Sequence, residues 1–143
     1  MTQFTSSLWY HYQQTVFLLT QPLSPSLSFA IVTAFNPMGT TLANCQNRLN
    51  DRMLQAKIEQ LNVPYRRVIG ASADLSHMER SWALFCDKQA ALALGNHFRQ
   101  LGIYFVENGQ LWLLPCHSQM EAIELGEFSA RVQLVSELPE LEF

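Results

Sequence analysis

The first 47 residues contain no Asp, Glu, Lys or Arg; the first formal charge in the chain is Arg48. A basic stripe is missing as well. The nine Lys and Arg residues are scattered against twelve Asp and Glu, and a phosphate backbone needs clustered cations, so a nucleic-acid partner is not expected. No run approaches the roughly 18 apolar residues that span a bilayer; the best, Leu27 to Phe35, is far shorter. No membrane partner is expected, and without a basic stretch ahead of an apolar one no signal peptide is read. Three cysteines, Cys45, Cys86 and Cys116, form neither a CxxC pair nor a disulfide framework, which suits a reducing cytoplasm. Six Gly and six Pro are too few for a collagen-like or low-complexity chain.

What is present is ample for a core. Of the 143 residues, 48% are hydrophobic and only 15% charged, which suits one folded domain. Charge is uneven: residues 48–120 hold eight basic and six acidic groups, and from Glu121 onward six acidic groups face Arg131 alone. We divide the chain into a single domain over 1–120 and an acidic extension over 121–143, read as a solubilising, partly mobile tail with one edge strand over Arg131 to Ser136.

Periodicity predicts the elements. Thr15 to Leu19 and Phe29 to Phe35 read as strands, the second ending at Asn36-Pro37, and the two are expected to form a hairpin. A helix follows from about Leu42 to Leu61, capped by Thr40 or Thr41. Its apolar stripe is Leu42, Cys45, Leu49, Met53 and Ala56, widened by Leu54, Ile58 and Leu61; Asn44, Arg48, Asp51, Arg52, Gln55 and Glu59 make the wet face. Gln46, Asn47 and Asn50 break the pattern by projecting toward the buried side. Tyr65 to Ile69 and Ser81 to Cys86 are strands around the polar loop Ala71–Arg80. Asp87 caps a second helix through Leu101, with Gly102 as its stop. Asn108-Gly109 between two apolar runs is a two-residue hairpin turn, since both positions favour positive φ. Arg66 and Arg67, adjacent on a strand, point to opposite faces and read as a solvated pair.

The order β-β-α-β-β-α-β-β predicts an α+β fold with a split βαβ, ferredoxin-like core: an antiparallel sheet, two helices on one face, and extra hairpin strands. That path places Asn36, Gln46, Asn47, Asn50, His77, Glu79, Ser81, Gln100 and His117 on one rim, with His11 nearby.

These segments also resemble a known family. Phe35-Asn36-Pro37-Met38-Gly39 after an apolar strand, Asn44 or Asn47 at a helix start, Gly70 followed by His77-Met78-Glu79-Arg80-Ser81, Gln100, and the Asn108-Gly109 hairpin ending at Cys116 resemble the bacterial domain-of-unknown-function 3293 family over roughly residues 9–116. Where the family often has Pro between Glu and Ser, Arg80 stands here. The resemblance implies no activity.

Three functional readings follow, two from the rim and the third from the second sheet face. The leading one is a module binding a small polar ligand or partner segment through Asn36, Asn47, Ser81 and Gln100 with His77 and Glu79, because amides offer donors and acceptors together. The second is a hydrolase- or transferase-like enzyme with Glu79 and His77, two apart on extended backbone, as the catalytic acid–base pair. The third is a pure interaction module. Plainer readings compete: Glu79 paired with Arg80 or Arg67 in solvent, and amides tying down irregular backbone beside Pro37. Adjacent Cys116 and His117 diverge on a strand, so Cys116 reads as inert. The four histidines lack HxxH, HxxxH or HExxH spacing, and no GxGxxG or P-loop occurs, so neither a metal nor another cofactor is read.

One pattern demands cover. Ile103, Phe105, Trp112 and Leu114 share one face of the last hairpin and Tyr104, Val106, Leu111 and Leu113 the other, yet helices cover only one. The candidates for the second are Leu8–Tyr12, the C-terminal stretch or another subunit. We expect Trp9 and Tyr12 to pack on the domain and the chain to be a monomer rather than a homodimer.

Overall fold

The computed structural model describes residues 6–117 and 120–140. In chain order the elements are α1 (Ser6–Tyr12), β1 (Val16–Leu19), β2 (Phe29–Thr33), α2 (Asn44–Gln60), β3 (Tyr65–Ala71), β4 (Met78–Leu84), α3 (Lys88–His97), β5 (Gly102–Glu107), β6 (Gln110–Pro115), β7 (Ile123–Glu127) and β8 (Val132–Leu134). The fold is α+β, with one eight-stranded sheet in the order β7-β6-β5-β2-β4-β3-β1-β8. Every pairing is antiparallel except β1 with β8. Among the described residues no helix is long and apolar enough to cross a membrane.

Both long helices lie on one face. Leu54 and Ile58 of α2, Ala91 and Leu94 of α3, and Phe98 just after α3 share a core with Ala30, Val32, Trp82, Leu84, Ile103, Phe105 and Leu114. Asp87 accepts from the Ala90 amide at 2.8 Å and starts α3. Asn108 and Gly109 take φ of 53° and 76°, the left-handed pair a tight hairpin needs.

The other face is covered by the sheet itself. The edges β7 and β8 are joined only by a 3-10 turn over Phe128–Arg131, so the sheet must curl until its two edges approach. Phe17 in β1 thereby meets Tyr104 in β5, ring centroids 5.1 Å apart, and Phe128, at 5.5 Å. Phe128 also packs on Phe29 at 5.3 Å. These rings, with Leu19, Ile31, Val68, Ala83, Val106 and Leu111, fill the closed end of the concave face. Arg131 staples the curl: its guanidinium donates to the carbonyls of Gln13 at 2.7 Å, Thr15 at 3.1 Å and Leu125 at 3.5 Å. Trp9 is buried, its ring so near Gly102 that a Cβ there would meet it at 3.0 Å.

Several expectations are corrected. β1 and β2 form no hairpin: β1 lies between β3 and β8, and β2 between β4 and β5. The four central strands β5-β2-β4-β3 therefore have two further strands on each side rather than appended hairpins alone. The acidic stretch after Glu121 is no mobile tail over its described part, since it supplies both edge strands. Gly102 opens β5 instead of stopping α3, which ends at His97. Neither Thr40 nor Thr41 caps α2; Ala43 stands at that position without a side-chain bond.

The largest correction is the rotation of α2. Leu49 and Met53 are about half exposed, whereas Asp51, expected on the wet face, joins Leu54 and Ile58 on the buried side, where Asn47 lies as expected. Partners explain the inversion. Asp51 accepts from Trp82 Nε1 and Arg67 Nη2, both at 3.0 Å, and the Arg67 guanidinium lies 3.9 Å from the Trp82 ring centroid. Arg67 is thus no solvated arginine. A buried carboxylate is tolerated when its oxygens are paired in this way.

Candidate functional site

The open end of the curl is a pocket of about 710 Å³ between α1 and the concave face. Its apolar lining includes Phe17, Ile31, Tyr104 and Leu113, and its polar lining Asn36, Asp74, His77, Glu79, Ser81 and Gln100. Leu8, His11 and Tyr12 of α1 close one side.

Asn36 is set by backbone that is unusual for its position. It has φ 46° and ψ 63°, the left-handed region, immediately before Pro37, where extended geometry is the rule. Asn47 compensates by donating from Nδ2 to Asn36 Oδ1 and accepting the Asn36 amide, both at 2.9 Å. The Leu42 amide donates to the same Oδ1 at 3.0 Å. With its oxygen and backbone committed, Asn36 turns Nδ2 toward Glu79 Oε2 at 3.3 Å. Asn47 is therefore behind the pocket, holding Asn36, and does not line it.

Glu79 and His77 sit two apart near the start of β4, and His77 Nε2 lies 2.8 Å from Glu79 Oε2. That hydrogen bond raises the His77 pKa above its ordinary value, against an opposing effect of burial. Of the alternative partners of Glu79, Arg67 is committed to Asp51; the Thr33 hydroxyl donates to the Arg80 carbonyl at 2.7 Å. Ser81 donates to the Glu79 carbonyl at 3.3 Å. Gln100, buried, donates from Nε2 to the carbonyls of Phe35 at 3.1 Å and Phe98 at 3.3 Å. Asp74 collects Ser72 Oγ, Ser76 Oγ and the Ser76 amide at 2.7–3.0 Å. Those bonds, from Ser76 foremost, hold its carboxyl at about 2.

The match of residue types to place is uneven. The structure brings Asn36, His77, Glu79, Ser81 and Gln100 together. Gln46 and Asn50 bond to each other at 3.4 Å on the exposed side of α2, and His117 is exposed and outside the lining. Burial pushes the Cys116 thiol up to about 11, which suits an inert side chain. Among the described residues no three His, Cys, Asp or Glu side chains are grouped to hold a metal ion.

Sequence reasoning missed Tyr12, Tyr104, Thr33 and Asp74 as lining. Tyr104 reads as one apolar residue of a strand face, yet its hydroxyl donates to the Tyr12 carbonyl and is hydrogen-bonded to Thr15 Oγ1. Burial raises the pKa of both Tyr104 and Tyr12. The signal available was a phenol on an otherwise aliphatic face.

The pattern of the family described as "Protein of unknown function (DUF3293)" matches residues 32–103, half of the chain. The chain belongs to this family. The DUF3293 segment runs from within β2 into β5 and contains Asn36, Asn47, His77, Glu79, Ser81 and Gln100. α1, β1 and β6–β8 lie outside it, so the match is narrower than the resemblance over 9–116. No curated protein and no solved structure matches the chain.

Proposed function

We propose that this DUF3293 chain is a binding module that takes one small molecule into the pocket, its polar end among Asn36, His77, Glu79, Ser81 and Gln100 and its apolar body on Ile31, Phe17, Tyr104 and Leu113. The observation that carries this reading is the pocket itself. About 710 Å³ falls within the roughly 300–1,000 Å³ of small-molecule sites, and an apolar wall with a few convergent polar groups is their usual composition. The reading extends to a monomer in the cytoplasm: Phe128 and α1 cover, within the chain, apolar surface that a second subunit would otherwise take. It also takes the core, β2-α2-β3-β4-α3-β5, as a split βαβ unit, supported by the order β5-β2-β4-β3 inside the sheet.

The test is a thermal-shift screen of small molecules on the full chain, with hits mapped by amide resonance shifts. Hits should move Asn36, Gly70, Gln100 and Gly102. Hits that map instead to the exposed Leu49 and Met53 side of α2 would sink the pocket reading and favour an interaction module.

A second reading is supported by one specific contact. The 2.8 Å bond between His77 and Glu79 in the polar lining of the pocket is how a carboxylate orients an imidazole for acid–base work. Turnover of a bound molecule that disappears in Glu79→Gln, with binding retained, would establish the enzyme over the binding module.

A further inference from the structure

Around Glu79 and Gln100 the hydrogen-bonding inventory of the pocket is lopsided, and that imbalance names a ligand class. Beside Glu79 the hydroxyl protons are spent inside the protein: Thr33 on the Arg80 carbonyl, Ser81 on the Glu79 carbonyl, Ser72 and Ser76 on Asp74, and Tyr104 on the Tyr12 carbonyl; the remaining hydroxyls of the lining are those of Tyr12, Thr15 and Thr41. Acceptors are left over. Both bonds of Gln100 run from Nε2 to carbonyl oxygens, which accept only, so the amide cannot be reversed. Its Oε1, on a side chain 5% exposed, receives no donor from any described residue. Glu79 takes His77 and Asn36 on Oε2, and Oε1 is likewise without a described donor.

Charge points the same way. The lining includes the carboxylates of Glu79 and Asp74 and no Lys or Arg. The wall contributed by α1, β1 and β2 comes from the first 47 residues, which hold no Lys or Arg, and its one titratable base in the lining is His11. A phosphate or carboxylate would lose its hydration against Glu79 with only imidazoles to receive it, and His77 is already held by Glu79. A protonated amine reverses each term. It brings the missing donors, meets a carboxylate, and sets its charge among the Tyr12 and Tyr104 rings, whose faces attract cations.

Resting on the pocket reading, we propose that the site selects an organic ammonium on an apolar body, its N–H groups meeting Glu79 Oε1 and Gln100 Oε1 and its hydrocarbon lying on Ile31, Phe17 and Leu113. The decisive experiment titrates the full chain with 2-phenylethylamine, 2-phenylethanol and 3-phenylpropanoate, three probes of similar shape, followed by amide resonance shifts. The amine should bind about tenfold more tightly than the alcohol, the difference a charge-assisted bond supplies, and the carboxylate more weakly than either. In Glu79→Gln the amine and the alcohol should come level. Pocket shifts with the alcohol or carboxylate bound as tightly as the amine would overturn the ammonium assignment and leave the pocket reading standing. Shifts from all three probes that map outside the pocket, or none at all, would overturn both. A Glu79→Gln protein that weakens all three equally would show the carboxylate to be a structural tie, and the charge argument would fall.

Discussion

The two ends of the concave face are built from the same strands and the same curl, yet one is sealed and the other open. At the sealed end Phe17, Phe29 and Phe128 meet ring to ring, with Val106 and Leu111 beneath them. Two residues further along the same face, Ile31 gives way to Thr33, and Ala83 to Ser81 and then Glu79. Along a strand, residues two apart share a face, so a change of residue type at that spacing converts a core into a cavity wall. The closing residue, Phe128, comes from a turn that only the sealed end receives. An apolar concave surface is filled wherever the chain can supply a ring; the polar end is left for something else.

That contrast can be broken most strongly at Phe128. Phe128→Ala removes the plug and should lower unfolding stability by about 3–5 kcal/mol, the range for aromatic truncation in a core. Chemical denaturation checks it, and a loss under about 1 kcal/mol would mean the sealed end is not a core.

Arg131 comes next. Arg131→Met keeps the stem but leaves three carbonyls without their donor, and a loss of about 1–3 kcal/mol is expected. Faster hydrogen exchange at β7 and β8 should accompany it, because the guanidinium ties Leu125 of one edge to the entry of β1, which pairs with the other; unchanged exchange would remove Arg131 from the account of the curl.

The open end should respond in the opposite manner. Glu79→Gln is expected to change stability by less than about 1 kcal/mol, as for a partly exposed ion pair, while ligand selection changes. A thermal melt reads the first, and unfolding of the variant would make Glu79 part of the scaffold.

The smallest effect is in the titration of His77. Its pKa is raised by the Glu79 hydrogen bond, so the stabilisation is complete below the ordinary imidazole value of 6.5 and fades as pH rises through the raised folded value. His11, Tyr12 and Asp74 also line this region and stay in place in the Glu79→Gln variant. An imidazole proton titration should therefore show His77 moving down in that variant alone; an unchanged midpoint would rule out Glu79 as the cause.

Much of this was legible in the chain. The Asn108-Gly109 turn, the Asp87 cap and the strands around Ala30 and Trp82 follow from local rules, since turn chemistry and short-range periodicity act over a few residues. The gathering of Asn36, Glu79 and Gln100 followed from tracing which end of the sheet each connection reaches. The face of α2 was not legible, because hydropathy ranks Leu49 above Asp51 and cannot register that Trp82 and Arg67, some 16 to 31 positions away, wait with matching donors.

The amino-acid sequence by itself determined the α+β alternation, the charge-free first third and the polar residues available to a site, because each is a property of neighbours or of composition. The tertiary structure decided the curl, the plug at Phe128, the burial of Asp51 and the pocket under α1. Each of these depends on contacts between segments far apart in the chain, and no local pattern encodes which distant partner satisfies a buried charge or covers an apolar face.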